Sequence, residues 1–354
     1  MPMPHEVRAC LAAVLGLALL VGPAMAVESA PAPIPTPPPT AKTAQATPDL
    51  LKTLPDSDKI DYAFGAFQRG YYLTAFAIAV ERAKLGDAKA QSLIGYLYAN
   101  GLGLPRKPDE AIIWYKLAAR NGDPQALVEL ANLAALGIGT SIDKKQAAAY
   151  LEEALGKGVV EANYWLGLLC IDPSSGITDY TRAAALFKAA ADEGNVDAIY
   201  ALAALNREGQ GVPKNDEEAA RLMGQAAKAG HIAAQVEYAI MMFNGTGVAR
   251  NEKTAAAWFK VAAEAGNPVA QSRLARLYAA GEGVPRDLST ANQWYGYAKA
   301  AGLSDPWLDQ QLAPDAARSD TTTKPDAAKT DPAKTDVATP EEKPLNLPGV
   351  DAGN

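Results

Sequence analysis

Residues 87–122 read DAKAQSLIGYLYANGLGLPRKPDEAIIWYKLAARNG, and residues 267–302 read NPVAQSRLARLYAAGEGVPRDLSTANQWYGYAKAAG. Both stretches are copies of one 36-residue unit, and the glycine that ends a copy recurs at this interval throughout. The glycines in this register are Gly86, Gly122, Gly158, Gly194, Gly230, Gly266 and Gly302. A period of this size indicates one supersecondary unit stacked on its neighbours, so the sequence predicts six repeats over residues 87–302 with these glycines in a structural role.

When the six copies are aligned, the residues that share a position between the glycines predict two helices in each copy. The fourth, twenty-fifth and thirty-second places are alanine in all six copies, as in Ala90, Ala111 and Ala118 of the first. Apolar residues recur at about the 3.6-residue spacing of a helix on both sides of a glycine-containing turn. We therefore predict an all-α fold, a right-handed superhelical solenoid of antiparallel helix pairs.

Residues with helix-capping chemistry stand at the expected helix starts. In five copies an Asp or Asn precedes the second helix, where its side-chain oxygen can accept from unpaired backbone N–H groups. These residues are Asp143, Asp179, Asn215, Asn251 and Asp287. Asp123-Pro124 and Asn267-Pro268 predict a cap followed by a proline at the first position of two first helices.

The stretches quoted above resemble the Sel-1-like repeat, a slightly longer relative of the tetratricopeptide repeat. The resemblance implies that the first helix of each pair lines an inner, concave wall and that partners bind along it. The partner-binding residues expected on this face are Tyr96, Asn100, Glu129, Asn132, Trp165, Asp172, Glu208, Glu237, Asn244, Arg273 and Arg276.

The tryptophans have two different expected roles. Trp165 is on the predicted inner face, where an exposed aromatic side chain beside carboxylates is a common anchor for a partner. Packing against the neighbouring repeat is an equally good interpretation, since aromatic side chains also fill cores. Trp114, Trp258 and Trp294 share one column of the second helix, and this regular spacing favours a role in the core.

The beginning of the chain predicts export. Arg8, an apolar run over residues 9–21 and the sequence Ala24-Met25-Ala26 follow one another in the order of a secretory signal peptide, which we assign to residues 1–26. The apolar run is shorter than a membrane-spanning helix, which disfavours an uncleaved anchor. We expect the periplasm, or secretion, without stable insertion into the membrane.

Composition divides the remainder of the chain. Residues 27–57 are rich in proline and residues 319–354 in Thr, Asp, Lys and Pro, so we expect a disordered linker and a disordered tail. Residues 58–86 keep the second-helix pattern and predict an N-terminal capping half-repeat. Residues 303–318 predict a C-terminal capping helix, because solenoids need atypical terminal units.

Charge and residue counts exclude several function classes. The net charge of −7, without a basic stripe, argues against nucleic acid as a partner. After removal of residues 1–26, Cys170 and His231 are the last of their types, which excludes an internal disulfide and zinc sites with several such ligands. We interpret Cys170 as a buried hydrophobic residue and His231 as a helix cap. No cofactor, metal site or catalytic residue is predicted.

These features favour an adaptor that binds another envelope protein or a peptide and has no catalytic activity. Two alternatives are a hydrolase of cell-wall peptides or β-lactams and a peptidoglycan-binding module. One branch of the family, exported proteins with a disulfide in each repeat, has been associated with β-lactam hydrolysis. The chain lacks those paired cysteines, which argues against inheriting that activity.

Overall fold

A computed structural model describes residues 61–313 of the chain. Over this range all regular elements are helical: 15 α-helices and one 3₁₀ helix are present, and no strand. The described residues form two compact units. Between residues 61 and 313 no helix is long and apolar enough to cross a membrane. The predicted signal peptide, linker and tail lie outside the described residues.

The described part of the first unit spans residues 61–193 and that of the second spans residues 194–313. The first contains α1 Tyr62–Gln68, α2 Tyr72–Lys84, α3 Ala88–Asn100, α4 Pro108–Arg120, α5 Gln125–Leu136, α6 Lys144–Gly156, α7 Ala162–Ile171, the 3₁₀ helix Pro173–Ser175 and α8 Tyr180–Asp192. The second contains α9 Val196–Glu208, α10 Asp216–Lys228, α11 Ile232–Asn244, α12 Glu252–Glu264, α13 Pro268–Ala280, α14 Leu288–Ala300 and α15 Pro306–Gln311.

Alanine forms the centre of each helix pair. The twenty-fifth place of the repeat, from Ala111 to Ala291, has 0% exposure in all six repeats. Bulky residues of the first helices, such as Leu97 and Leu205, are also fully buried. Consecutive helices pack against one another within each unit, which confirms the predicted all-α class and the 36-residue helix-pair repeat.

Two kinds of glycine maintain the repeat. The seven interval glycines all have φ between 84° and 100°, a region that L side chains rarely adopt. Around one of them, Gly230, no atom lies within 4 Å of the position a Cβ would take. At Gly247, in the turn between two helices, a Cβ would lie 1.9 Å from the backbone oxygen of Asp216 at the start of α10. The glycine that ends each repeat is therefore needed because it adopts a positive φ. The glycine in the turn is needed for its positive φ and because the backbone of the preceding repeat lies too close for a Cβ.

The predicted helix caps are present, and one helix start is displaced by a single residue. Each of the five Asp and Asn caps of the second helices accepts a hydrogen bond from an amide two or three residues further on. Asn267 caps α13, and Pro268 is its first residue. At Asp123-Pro124 the helix α5 begins one residue later than predicted, at Gln125, with Pro124 at the N-cap in a helical conformation. The Asp123 carboxylate accepts from the Gln125 amide at 3.3 Å, as expected of a cap, and its other oxygen accepts a hydrogen bond from the Ser92 hydroxyl at 2.5 Å.

The two ends of the described chain close the core. At the N-terminal end the cap contains a short helix, α1, in addition to the full-length α2, and Ala63 and Ile78 are buried against the first repeat. At the C-terminal end Leu308 of α15 is fully buried, with Trp307 and Leu312 packed beside it. The ends of the repeat array therefore bury apolar residues that would otherwise face solvent.

Candidate binding site

The first unit contains a cavity of about 640 Å³ between the N-terminal cap and the first two repeats. This volume falls within the range of about 300–1,000 Å³ typical of ligand pockets. Aromatic rings from three elements line it: Phe64 and Phe67 from α1, Tyr96 from α3 and Tyr115 from α4. The rings of Phe67 and Tyr96 meet edge to face, with their centroids 5.5 Å apart. We call this cavity the aromatic pocket.

Acidic groups outnumber basic groups in the aromatic pocket. Asp61, Asp123 and Glu129 line it, whereas Lys89 is the one basic residue among the described lining residues. Asp61 forms an ion pair with Arg82 at 3.0 Å. Within residues 61–313, no basic side chain lies within ion-pair distance of Glu129. The lining of the pocket therefore contains more acidic than basic groups, and Glu129 has no basic group beside it.

Glu129 has an unusual protonation equilibrium. Its side chain is half-buried at the first helical turns of α5. Burial, followed by the nearby carboxylate of Asp123, raises the pKa of Glu129 from an ordinary value of 4.5 to about 7. Near neutral pH this carboxyl group therefore exchanges readily between its neutral and charged forms.

Tyr115 places an unpaired hydroxyl group beside these carboxylates. The residue is 1% exposed, and its oxygen has no hydrogen-bond partner among the described residues. Burial, and then the charge of Glu129, raises the pKa of Tyr115 well above its ordinary value. Gly95 provides room for the ring, because a Cβ there would lie 2.9 Å from it. The pocket thus combines aromatic walls with a carboxyl group and a hydroxyl group.

Only part of the predicted inner face belongs to the pocket. Tyr96 and Glu129 line it, whereas Asn100 is exposed at the end of α3 and donates to the Tyr96 backbone oxygen at 2.9 Å. Asn132, one turn after Glu129, is 7% exposed and buried in the core.

The interpretation of Trp165 as an exposed anchor is wrong. This side chain is 4% exposed, and its ring meets that of Tyr164 edge to face at 5.1 Å. Nearly all of α7 is buried because its sequence, ANYWLGLLCI, is apolar around the whole helix. The burial of Trp165 agrees with a packing role and leaves no exposed ring for a partner. Trp114, Trp258 and Trp294 are half-buried, and Trp114 and Trp294 pack against the terminal cores.

Asp172 has a structural role in the third repeat. It is 7% exposed, caps the 3₁₀ helix through the Ser174 amide and forms an ion pair with Lys144 at 2.5 Å. Burial opposes its ionisation, but hydrogen bonds from Lys144 and Ser174 hold the pKa of Asp172 below its ordinary value. Its predicted place among exposed partner-binding residues is therefore wrong.

In the second unit most predicted residues are engaged in ion pairs. Arg207 contacts Glu208 at 3.0 Å and Glu237 at 2.6 Å. Arg276 binds Asp305 through two hydrogen bonds at the C-terminal cap. Arg273 is half-buried, and burial followed by the charge of Arg276 lowers its pKa. The remaining predicted residue, Asn244, is exposed at the end of α11.

His231 and Cys170 lie outside the aromatic pocket. His231 caps α11 by accepting from the Ala234 amide at 3.0 Å, and its ring stacks on Tyr200 at 4.4 Å. Burial lowers its pKa, although nearby Asp197 acts in the opposite direction. Cys170 is fully buried, and burial raises its pKa. The described residues contain no group of three or more His, Cys, Asp or Glu that could hold a metal ion.

Sequence reasoning missed the residues that complete the pocket, chiefly Phe64 and Phe67 of the cap and Tyr115. The cap lies before the first interval glycine, so the repeat pattern does not specify its inner side. The sequence contained one indication for Tyr115: the equivalent positions of the other repeats hold Leu, Met, Phe and one further tyrosine. A hydroxyl group at a position that is apolar in most other repeats indicates polar surroundings at that position.

The family profile described as Sel1 repeat matches six consecutive segments, residues 88–123, 124–159, 160–195, 196–231, 232–267 and 268–303. These segments cover more than half of the chain. The chain belongs to the Sel1 repeat family. Sel1 repeat proteins generally mediate protein–protein interactions, and such scaffolds are typically non-catalytic adaptors.

Two solved Sel1-type structures are similar to the chain. One is c5321, a protective antigen present in uropathogenic Escherichia coli strains that displays an SLR fold, with 26% identity and a TM-score of 0.64. This match covers 67% of the chain and 50% of c5321, so it spans half of that protein. The other is a Sel1 repeat protein from Oxalobacter formigenes, with 25% identity, a TM-score of 0.59, and coverage of 67% and 94% respectively.

Proposed function

We propose that the chain is an exported, periplasmic adaptor of a Gram-negative bacterium that binds an envelope protein or peptide without catalysing a reaction. The observation that carries this proposal is the aromatic pocket, a concave site on a protein-binding type of scaffold. Its lining contains no His or Cys among the described residues, and the Ser92 hydroxyl donates to Asp123 rather than to a histidine. Export is supported by the signal-like sequence of residues 1–26.

Affinity capture from the envelope fraction of the source bacterium, followed by mass spectrometry, tests the adaptor proposal. The protein and its Glu129→Lys variant serve as baits. Glu264→Lys makes the same charge change on the exposed surface of α12 and is the matched control. We expect a partner that is retained by the parent and by Glu264→Lys and is lost with Glu129→Lys. Equal capture by all three baits, or no protein enriched above empty beads, would contradict a function at the pocket.

Two assays examine the alternative functions. Purified protein incubated with nitrocefin or with cell-wall peptides should give no turnover above the uncatalysed rate. Turnover that a single acidic substitution abolishes would favour a hydrolase. Sedimentation with isolated peptidoglycan that is insensitive to Glu129→Lys would favour a glycan-binding module over the proposed pocket function.

A further inference from the structure

We propose that the aromatic pocket binds an extended peptide segment of a partner by receiving one arginine or lysine side chain against Glu129 and Tyr115. The inference rests on the proposed adaptor function and specifies the chemistry of the partner. It follows from the combination of ring surface, an excess of acidic over basic groups and an unpaired buried hydroxyl group in one cavity.

The aromatic walls fit the stem and the head of a basic side chain. Phe67 and Tyr96 present rings from two different elements, and Leu93 adds apolar surface. The alkyl stem of lysine or arginine packs on such surface, while a cation is attracted to aromatic ring faces. The cavity of about 640 Å³ also has room for residues flanking the basic side chain.

The polar groups supply what a cation needs. Glu129 has no basic partner among the described residues, and a guanidinium or ammonium group would provide one. The Tyr115 oxygen, which has no partner in the described structure, can accept a hydrogen bond from the same group. A buried hydroxyl group without a partner is unfavourable, so binding of a donor is favoured at this position.

The charged groups around Glu129 define the effect of pH. Asp123 lies beside it, Tyr96 and Tyr115 face the pocket from α3 and α4, and Lys89 and Asp61 complete the charged lining. A bound cation stabilises the charged form of Glu129 and therefore lowers its pKa. Binding should release protons between pH 5.5 and pH 8 and should strengthen as pH rises.

The test uses an acetylated, amidated heptapeptide with arginine at its centre and alanine and leucine around it. The same peptide with neutral citrulline is the comparison ligand. Binding to the purified protein is followed by NMR of labelled methyl groups, because Ala90, Leu93 and Ala126 line the pocket and report its occupancy. We expect saturable shifts of these methyl groups with the arginine peptide, and binding at least about tenfold weaker with citrulline or at pH 5.5.

Three variants locate the interaction. Glu129→Gln should abolish the preference for arginine over citrulline and the dependence on pH, and Tyr115→Phe should weaken arginine binding several-fold. Glu237→Gln removes a carboxylate from the same place of another repeat and should leave binding unchanged. Equal binding of both peptides, or no saturable shift with the arginine peptide, would overturn the inference. Capture of a partner that persists with Glu129→Gln would also overturn it while leaving the adaptor function intact.

Discussion

Glu129 in the first unit and Glu237 in the second occupy the same place of the 36-residue repeat, in α5 and α11. Glu237 forms an ion pair with Arg207, which comes from the preceding repeat. In the repeat that precedes Glu129, the position equivalent to Arg207 is Ala99, whose side chain is uncharged. One repeat framework therefore gives a neutralised carboxylate in the second unit and a carboxyl group with a raised pKa in the first.

The two tyrosines of the second-helix column differ in the same way. Tyr295 donates to the Asp305 backbone oxygen at 3.1 Å and accepts from the Asp305 amide at 2.7 Å. Tyr115 has no hydrogen-bond partner in the described structure. Equivalent residues are satisfied near the C-terminal cap and left available near the N-terminal cap. The proposed binding site therefore lies at the end of the described chain where these polar groups have no partner in the structure.

The largest expected effect concerns the framework that both units share. Gly247→Ala should lower the free energy of unfolding by about 3 kcal/mol, because the new Cβ adds a backbone clash to the strain of a positive φ. Gly139 occupies the same place in the first unit, where a Cβ would lie 2.7 Å from the backbone carbonyl carbon of Pro108. Gly139→Ala should destabilise in the same direction. Denaturant unfolding followed by circular dichroism measures both effects.

Gly230→Ala is the matched control for the clash. It introduces the same strain of a positive φ in open space and should cost about 1 kcal/mol. If Gly247→Ala and Gly230→Ala lowered stability equally, the close contact between repeats would not contribute.

Effects of intermediate size on the free energy of unfolding are expected for Glu237 and Glu129, with opposite signs. At pH 8 Glu237→Gln should destabilise by about 1–2 kcal/mol, because it weakens a half-buried ion pair. Glu129→Gln should stabilise by about 1–2 kcal/mol. The pKa shift of Glu129 from 4.5 to about 7 sets an upper limit of roughly 3.5 kcal/mol, and the expected effect is smaller because the side chain is partly exposed. Thermal unfolding of both variants at several pH values provides the comparison. The same sign for both substitutions at pH 8 would contradict it.

The pH dependence of stability follows from the raised pKa of Glu129. The folded state binds more protons than the unfolded state between pH 4.5 and about 7, so this group's contribution to stability falls as pH rises through that window. Above that window the contribution no longer changes. Glu129→Gln removes this slope, and its stabilising effect should therefore be small at pH 4.5 and greatest at pH 8.

The smallest effect concerns the tyrosines. Tyr295→Phe should destabilise by about 1 kcal/mol through loss of its hydrogen bonds to Asp305. Tyr115→Phe should be neutral or slightly stabilising, since it removes a buried hydroxyl group without a partner. Melting temperatures of the two variants, measured side by side at one pH, distinguish these outcomes. Equal losses would mean that the Tyr115 hydroxyl group is satisfied in solution.

The sequence predicted the framework because its determinants are local. Interval glycines, Asp and Asn caps and alanine columns each act within one helix or turn, and their repetition reduced the ambiguity. The pocket was only partly predictable, because the environment of Glu129 depends on Ala99 in another repeat and on aromatic residues of the cap. Trp165 was uncertain for a related reason: its place in the repeat suggested exposure, whereas the apolar sequence around all of α7 decided its burial.

The pKa of Glu129 is the central quantity of this account, and a carbon-13 NMR titration of its side-chain carboxyl group measures it directly. Selective assignment is available by comparison with Glu129→Gln. We predict a midpoint near pH 7, in agreement with a half-buried carboxyl group beside Asp123 and without a basic partner. A midpoint near the ordinary value of 4.5 would show that Glu129 is already compensated, and the pocket would then have no unmet charge for a partner to neutralise.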